Sequence, residues 1–285
     1  MADPDPGATR RKEMLETNQA QRAYYDQTDG GTVSTANGWG TNLWRQMRQR
    51  ALRSVSEAQR ARVYDVHRRW LGDLSQKKVL DLGSGHGSPL SHYLATNAGA
   101  YHALDLAPSQ IAQLRDRIGA ADNRIFTVGD FLSDDYAEAD FDVIYAHSVF
   151  HHFRHLGVML ARVATKLAPD GQVISYDPLE TWLPIRLLRR VYRPFQTDRD
   201  WEYPFDARAI GQIGAQFAVI DRLGVFGRGK WALVLGILSP SLAARWGDRL
   251  FASDFDRPQT DRDIRASLHV SFLLQAPGAA PRSAA

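Results

Sequence analysis

Lys78-Val79-Leu80-Asp81-Leu82-Gly83-Ser84-Gly85-His86-Gly87 carries a strand of a buried sheet directly into a glycine-rich turn. Val79, Leu80 and Leu82 form the short apolar run that a parallel sheet buries on both faces. Gly83, Gly85 and Gly87 free the backbone for sharp turns, and without Cβ atoms they let a ligand approach the main chain. Leu90, Tyr93 and Leu94 share one side of the helix predicted next, so its first amides face whatever lies over the turn. Tyr101-His102-Ala103-Leu104-Asp105 then reads as a second strand ending in an acid that can accept both hydroxyls of a ribose. Strand, turn, helix and distal acid in this order point to an adenosyl ligand. The spacing is G-x-G-x-G, with Ser88 where the third glycine of a dinucleotide fingerprint would fall, which favours S-adenosylmethionine over NAD.

Four later stretches follow in order: Leu104-Asp105-Leu106-Ala107-Pro108-Ser109, Val128-Gly129-Asp130-Phe131, the run from Phe141 to His152, and the run from Leu167 to Ile174. With the first, they resemble the core of a class I S-adenosylmethionine-dependent methyltransferase, in the small-molecule, type 11-like group that includes quinone-biosynthesis enzymes. The resemblance covers residues 78 to 178. It implies an α/β fold: a Rossmann-like, doubly wound, seven-stranded, mostly parallel sheet with helices on both faces, an antiparallel last strand, an N-terminal helical lid and C-terminal insertions.

Site residues follow from the same resemblance. Asp81, Gly83, Ser84, Gly85 and Gly87 would cradle S-adenosyl-L-methionine, Asp105 would hold its ribose, and Leu106 would lie against adenine. Asp130 and Phe131 would flank the base, and Tyr24 or Tyr25 would close on the methionine end, with the polar, glycine-rich stretch from Gln27 to Gly40 as the moving part. For methyl transfer, His147 is the first candidate base. It follows the fourth predicted strand at the edge where open α/β sheets bind ligands, and an imidazole suits proton removal near neutral pH. His151 and His152 stand where similar enzymes carry a histidine pair at a turn; packing or capping is one reading, catalysis by His151 the other. Asp177 precedes Pro178 on the same rim, as a turn residue or as a group that binds the acceptor or orients a base.

Composition narrows the field without choosing a substrate. The 285 residues contain no cysteine, which excludes disulfides, thiolate metal sites and cysteine nucleophiles. His147, His151 and His152 have no carboxylate at ligand spacing, so no metal is expected. Met1 to Lys12 has no apolar core, so neither a signal peptide nor a membrane span is expected there. The default location is cytoplasmic, with peripheral contact at the inner face of the membrane left open.

Arginines cluster between Thr41 and Leu71, a segment that reads as two amphipathic helices, on Leu43, Met47, Ala51 and Val55 and then on Val63, His67, Trp70 and Leu71. Their basic faces are either solvated or turned toward an anionic substrate or membrane. No zinc-finger, RRM-like or helix-turn-helix pattern accompanies them, and no Asp or Asn precedes a Pro-Pro-Tyr after the fourth strand, so nucleic acid is not expected. Pro178 to Phe205 and Arg228 to Arg262 mix large apolar side chains with arginines and read as substrate-specific additions.

The predicted strands lie near 78–83, 100–106, 124–129, 141–146, 172–177, 217–225 and 268–275, with core helices near 88–97, 108–118 and 154–167. The expected organisation is a flexible N-terminus (1–20), a helical lid or substrate segment (21–76), a cofactor-binding core (77–178), and the rest of the sheet with substrate-binding insertions (179–285). The function expected is methyl transfer (EC 2.1.1.-) to a small, partly hydrophobic or anionic acceptor by in-line displacement. The alternatives are a fold relative that binds the cofactor without methyl transfer, as a cyclase or regulator, and an NAD(P)-dependent oxidoreductase. Nothing in the sequence sets the oligomeric state.

Overall fold

A computed structural model describes residues 6–26, 39–196 and 199–276. Strand β1 (Lys78–Leu82) pairs in parallel with β2 (Ala100–Asp105) on one side and β4 (Phe141–His147) on the other. Outside these lie β3 (Arg124–Val128) and β5 (Leu167–Pro178), also parallel. β7 (His269–Gln275) runs antiparallel between β5 and β6 (Ala218–Val225), giving the order β3-β2-β1-β4-β5-β7-β6. This is the Rossmann-like sheet that the motifs implied.

Alternating side chains build a core on each face of the sheet. Val79, Tyr101, Val143 and Tyr145 pack with Leu94 of α4 (Ser91–Asn97) and Leu114 of α5 (Pro108–Ile118). Leu80, Leu82, Leu104 and Ile144 pack with Met159, Leu160 and Val163 of α6 (Leu156–Lys166) and Ile213 of α8 (Ala207–Gln216). β1 has β2 on one side and β4 on the other, so the direction in which strands are added reverses there. At such a switch point the loops leaving the carboxyl ends diverge and leave a crevice.

The N-terminal region departs from expectation. Residues 6–20, read as flexible, belong to helix α1 (Pro6–Asp26), so a boundary at residue 20 falls inside a helix. Met14, Asn18 and Gln21 are its buried face. Two of these three are polar, and Asn18 donates to Asp130, so no apolar stripe marked the helix. Most of the glycine-rich stretch from Gln27 to Gly40 lies outside the described residues; Trp39 and Gly40 open α2 (Trp39–Leu52). That helix stops before Val55, which sits in the turn to α3 (Glu57–Leu71), where the Ser56 hydroxyl accepts the Gln59 amide.

A smaller adjustment concerns the turn expected at Leu167–Gly171. Leu167 already pairs with Phe141 and Gln172 with Val143, so the residues between them form an irregularity within β5.

The additions build a second layer beside the sheet edge. After β5 comes α7 (Leu183–Tyr192), and after β6 come α9 (Lys230–Leu238), α10 (Pro240–Ala252) and the short α11 (Asp261–Arg265). Val55, Val63, Phe226, Ala232 and Phe251 form a separate core that joins α3, α9 and α10. The contact is close: a Cβ on Gly247 would lie 1.7 Å from the Ser54 carbonyl oxygen. Among the described residues no helix is long and apolar enough to cross a membrane.

Candidate active site

One cavity of ≈ 1040 Å³ opens over the carboxyl ends of the strands. Its first half is built on the glycine turn. Gly83 has φ +59°, and a Cβ there would stand 2.7 Å from Val149 Cγ2, so only glycine keeps both the turn and the neighbouring loop. Gly85 also lines the cavity, and a Cβ on it would meet nothing closer than 3.8 Å; the missing side chain leaves open space toward a ligand. The Asp105 carboxylate closes the turn, accepting the Gly85 amide at 2.8 Å through one oxygen and the Ala107 amide at 2.9 Å through the other. Burial pushes its pKa up, opposed by these amide bonds. Each oxygen has a further lone pair for a hydroxyl. Leu106, Asp130 and Phe131 complete this half of the wall.

Helix α1 lies across it. Asn18, Gln21, Tyr24 and Tyr25 all line the cavity, and the Asn18 amide donates to Asp130 Oδ2 at 2.9 Å. At the end of α1, Asp26 accepts the Ser109 amide at 2.9 Å, which seats the helix on the start of α5. Asn18, Gln21 and His86 were missed in the sequence. The 18-21-25 spacing of one helical face was the available signal, obscured by its polarity.

The residues expected to cradle the cofactor do not all reach the cavity. Asp81 is buried behind it, accepting the Ser91 hydroxyl at 2.5 Å and the Tyr101 hydroxyl at 2.9 Å. It pins α4 and β2 to β1, because side chains alternate along the strand and position 81 faces the helix layer. Ser84 is buried beneath the turn. Gly87 has φ +113° and fits against Leu114 and Arg117 of α5, so it shapes the turn without lining the cavity.

The candidate catalytic residues are rearranged. His147 does not line the cavity: its ring stacks on Tyr176 at 5.0 Å, and Nε2 lies 3.2 Å from the Tyr64 hydroxyl. Burial pushes its pKa down to about 4. Next to it Ser148 has φ +61°, a conformation rare outside glycine, and this bend carries the chain over the crevice. There His151 and His152 line the cavity. His151 Nδ1 is 2.9 Å from Asp177 Oδ1, and the His151 amide donates to the same oxygen at 3.2 Å. Asp177 Oδ2 is buried with no hydrogen-bond partner among the described residues. Burial pushes the Asp177 carboxyl up to about 7, the amide bond from His151 opposing it. Of the three candidates, folding thus joins His151 and Asp177 and leaves His147 apart.

The other half of the cavity comes from the additions and from α2. Trp182, Ile185 and Arg189 contribute from the segment after β5, Lys230, Trp231 and Ile237 from α9, and Trp44, Arg45 and Arg48 from α2. Trp44 stacks on Tyr192 at 4.2 Å, tying α2 to α7. Lys230 donates to the Ala266 carbonyl at 2.7 Å and lies 4.4 Å over the Trp182 ring. His269, absent from the sequence reading, stacks on Tyr176 at 5.1 Å and reaches the cavity. Among the described residues no cluster of His, Cys, Asp and Glu is arranged to hold a metal ion.

Comparison with known proteins agrees with this architecture. Residues 80–173 match the family described as "Methyltransferase domain". The chain is 28% identical over 166 residues to a probable phthiotriol/phenolphthiotriol dimycocerosates methyltransferase 2 of Mycobacterium ulcerans, an alignment spanning 57% of this chain and 58% of that protein. It is 26% identical over 103 residues to the 27-O-demethylrifamycin SV methyltransferase of Amycolatopsis mediterranei, spanning 35% and 38%. The chain therefore spans about half the length, or less, of these curated relatives. Among solved structures, the magnesium protoporphyrin IX methyltransferase of Synechocystis PCC 6803, with bound SAH, superposes with a TM-score of 0.55 at 16% identity, covering 90% of this chain and 99% of that one. At that identity the likeness concerns the fold. Motifs, strand order and matched residues together identify residues 80–173 as a class I S-adenosylmethionine-dependent methyltransferase domain.

Proposed function

We propose that the protein transfers a methyl group from S-adenosylmethionine to a small, partly hydrophobic acceptor, with His151 as general base and Asp177 as the group that orients it. One observation carries this reading: the glycine turn with its ribose-type acid and His151, backed by the buried Asp177, open on a single cavity. The turn fits the cofactor, since Gly83 and Gly85 present bare backbone, Asp105 offers acceptor lone pairs, and Leu106 and Phe131 supply apolar contacts for a purine. Bound there, S-adenosylmethionine supplies an electrophilic methyl on its sulfonium.

The chain's own residues do the rest. Asp177 holds His151 Nδ1 and offsets charge that develops on the ring, so Nε2 is the nitrogen that takes the acceptor's proton. Alignment in a cavity covered by α1 and α7 excludes water and supplies much of the rate. Tyr64 and Tyr176 engage His147, which makes it a positioning residue for the strand ends.

Calorimetric titration of the full chain with S-adenosylmethionine and S-adenosylhomocysteine, with NAD and NADP as controls and Asp105→Asn alongside, tests the cofactor assignment. Binding of the two sulfur compounds that weakens in the variant supports it. Binding of a nicotinamide nucleotide in their place overturns it. Methyl uptake by phenols, quinones or lipid-like acids then separates an enzyme from a cofactor-binding regulator.

A further inference from the structure

Four cationic side chains, Arg45, Arg48, Arg189 and Lys230, line the half of the cavity remote from the glycine turn, against Glu202 as its carboxylate among the described lining residues. Two of the four have occupations, Lys230 on the Ala266 carbonyl and Arg45 on Asn42 Oδ1. For Arg48 and Arg189, no carboxylate among the described residues lies within salt-bridge distance. Arg189 Nε is moreover buried without a hydrogen-bond partner. A buried guanidinium N–H left unpaired is costly, and an anion supplies the missing acceptor.

These two arginines also have apolar surroundings. The Trp44–Tyr192 stack joins α2 to α7, and Arg48 stands one turn from Trp44 as Arg189 does from Tyr192, so the stack sets both guanidinium groups on the cavity wall. Both also act on His269, helping to hold its ring neutral, as burial chiefly does. Beyond them the wall is Trp182, Trp231, Val234 and Ile237, a surface for an apolar chain or ring.

We propose that the acceptor is an amphipathic acid, its carboxylate or phosphate held between Arg48 and Arg189 and its apolar body lying along Trp182, Trp231 and Ile237. The inference rests on the reading of this cavity as an acceptor site. It narrows that reading from partly hydrophobic molecules to those that also carry a negative head.

The test uses the full chain, with and without S-adenosylhomocysteine, and follows tryptophan fluorescence during titration with dodecyl phosphate, dodecanoate and dodecanol, each below its aggregation concentration. Both acids bind about ten-fold or more tightly than the alcohol, the worth of a charged hydrogen bond. Arg48→Gln with Arg189→Gln brings the acids to within about three-fold of dodecanol. Equal binding of acid and alcohol by the unmodified protein overturns the proposal without recourse to any variant, as does an acid preference that survives the double substitution. Displacement of dodecyl phosphate by an equal concentration of inorganic phosphate overturns the amphipathic part. Binding of S-adenosylhomocysteine is read on the same samples: its failure beside an intact acid preference would count against the methyltransferase reading alone.

Discussion

Replacing Asp81 with asparagine tests whether this acid of the glycine motif acts on the fold or on the cofactor. Asp81 is fully buried, and its carboxyl, raised by burial from the ordinary 3.8 to about 6, accepts two hydroxyl protons. With a folded pKa above the unfolded one, the folded chain binds the extra proton. The group's contribution is therefore fullest below about pH 4 and is lost as pH rises through about 6. Relative to low pH, the buried carboxyl costs the fold about 2 kcal/mol at about pH 5 and about 3 kcal/mol at about pH 7.5. Asp81→Asn cannot ionise, so whatever fixed cost its amide adds, its stability relative to the parent rises by about 1 kcal/mol between those two pH values. Urea unfolding of both proteins at each pH measures this double difference, in which the other buried carboxylates cancel. Titration with S-adenosylhomocysteine on the same samples gives the second readout, an affinity unchanged within about three-fold. A pH-independent difference would refute the burial argument, and a large loss of affinity at unchanged stability would return Asp81 to the cofactor.

Two further outcomes concern the chemistry and the acceptor wall. His151→Gln lowers kcat by about 10²- to 10⁴-fold while S-adenosylhomocysteine still binds, and Asp177→Asn lowers it less. Full turnover in His151→Gln, or a comparable loss in His147→Gln, would move the base elsewhere. Gly247→Ala puts a Cβ 1.7 Å from the Ser54 carbonyl oxygen, a backbone clash that no side-chain rotation relieves. The expected cost is about 3 kcal/mol, read as a lowered urea midpoint with loss of dodecyl phosphate binding while S-adenosylhomocysteine is retained. An unchanged midpoint would mean that α10 does not press on the α2–α3 turn.

The division between a cofactor half and a proposed acceptor half follows from how the chain is wired. The glycine turn, Asp105 and Asp130 lie at the ends of β1, β2 and β3, on one side of the switch point. Arg189, Lys230 and His269 come from the region after β4, where the additions enter, and Trp44, Arg45 and Arg48 join them from α2, ahead of the sheet. A change of substrate can therefore be made in the additions while the cofactor turn stays as it is.

Local chemistry was enough for the sheet. Apolar runs such as Val79–Leu82 and Val143–Ala146 have one stable use, burial in a parallel sheet, and the glycine turn between a strand and a helix has few backbone solutions, so strand positions and the cofactor turn could be read from neighbours in the chain. Helix α1 could not be read so, because its buried face is polar and its partners, Asp130 and Ser109, lie more than eighty residues away. The proposed catalytic pair has the same origin. In one dimension His147 is the first candidate base and His151 a turn residue or a base; the positive-φ bend at Ser148 decides that the first packs on Tyr176 while the second meets Asp177 from the adjoining strand. The acceptor wall is decided in three dimensions as well, since Arg48 and Arg189 become neighbours of one cavity only when Trp44 and Tyr192 stack. Periodicity reports which face of an element is buried; what that face meets depends on long-range packing, which no local stretch of sequence encodes.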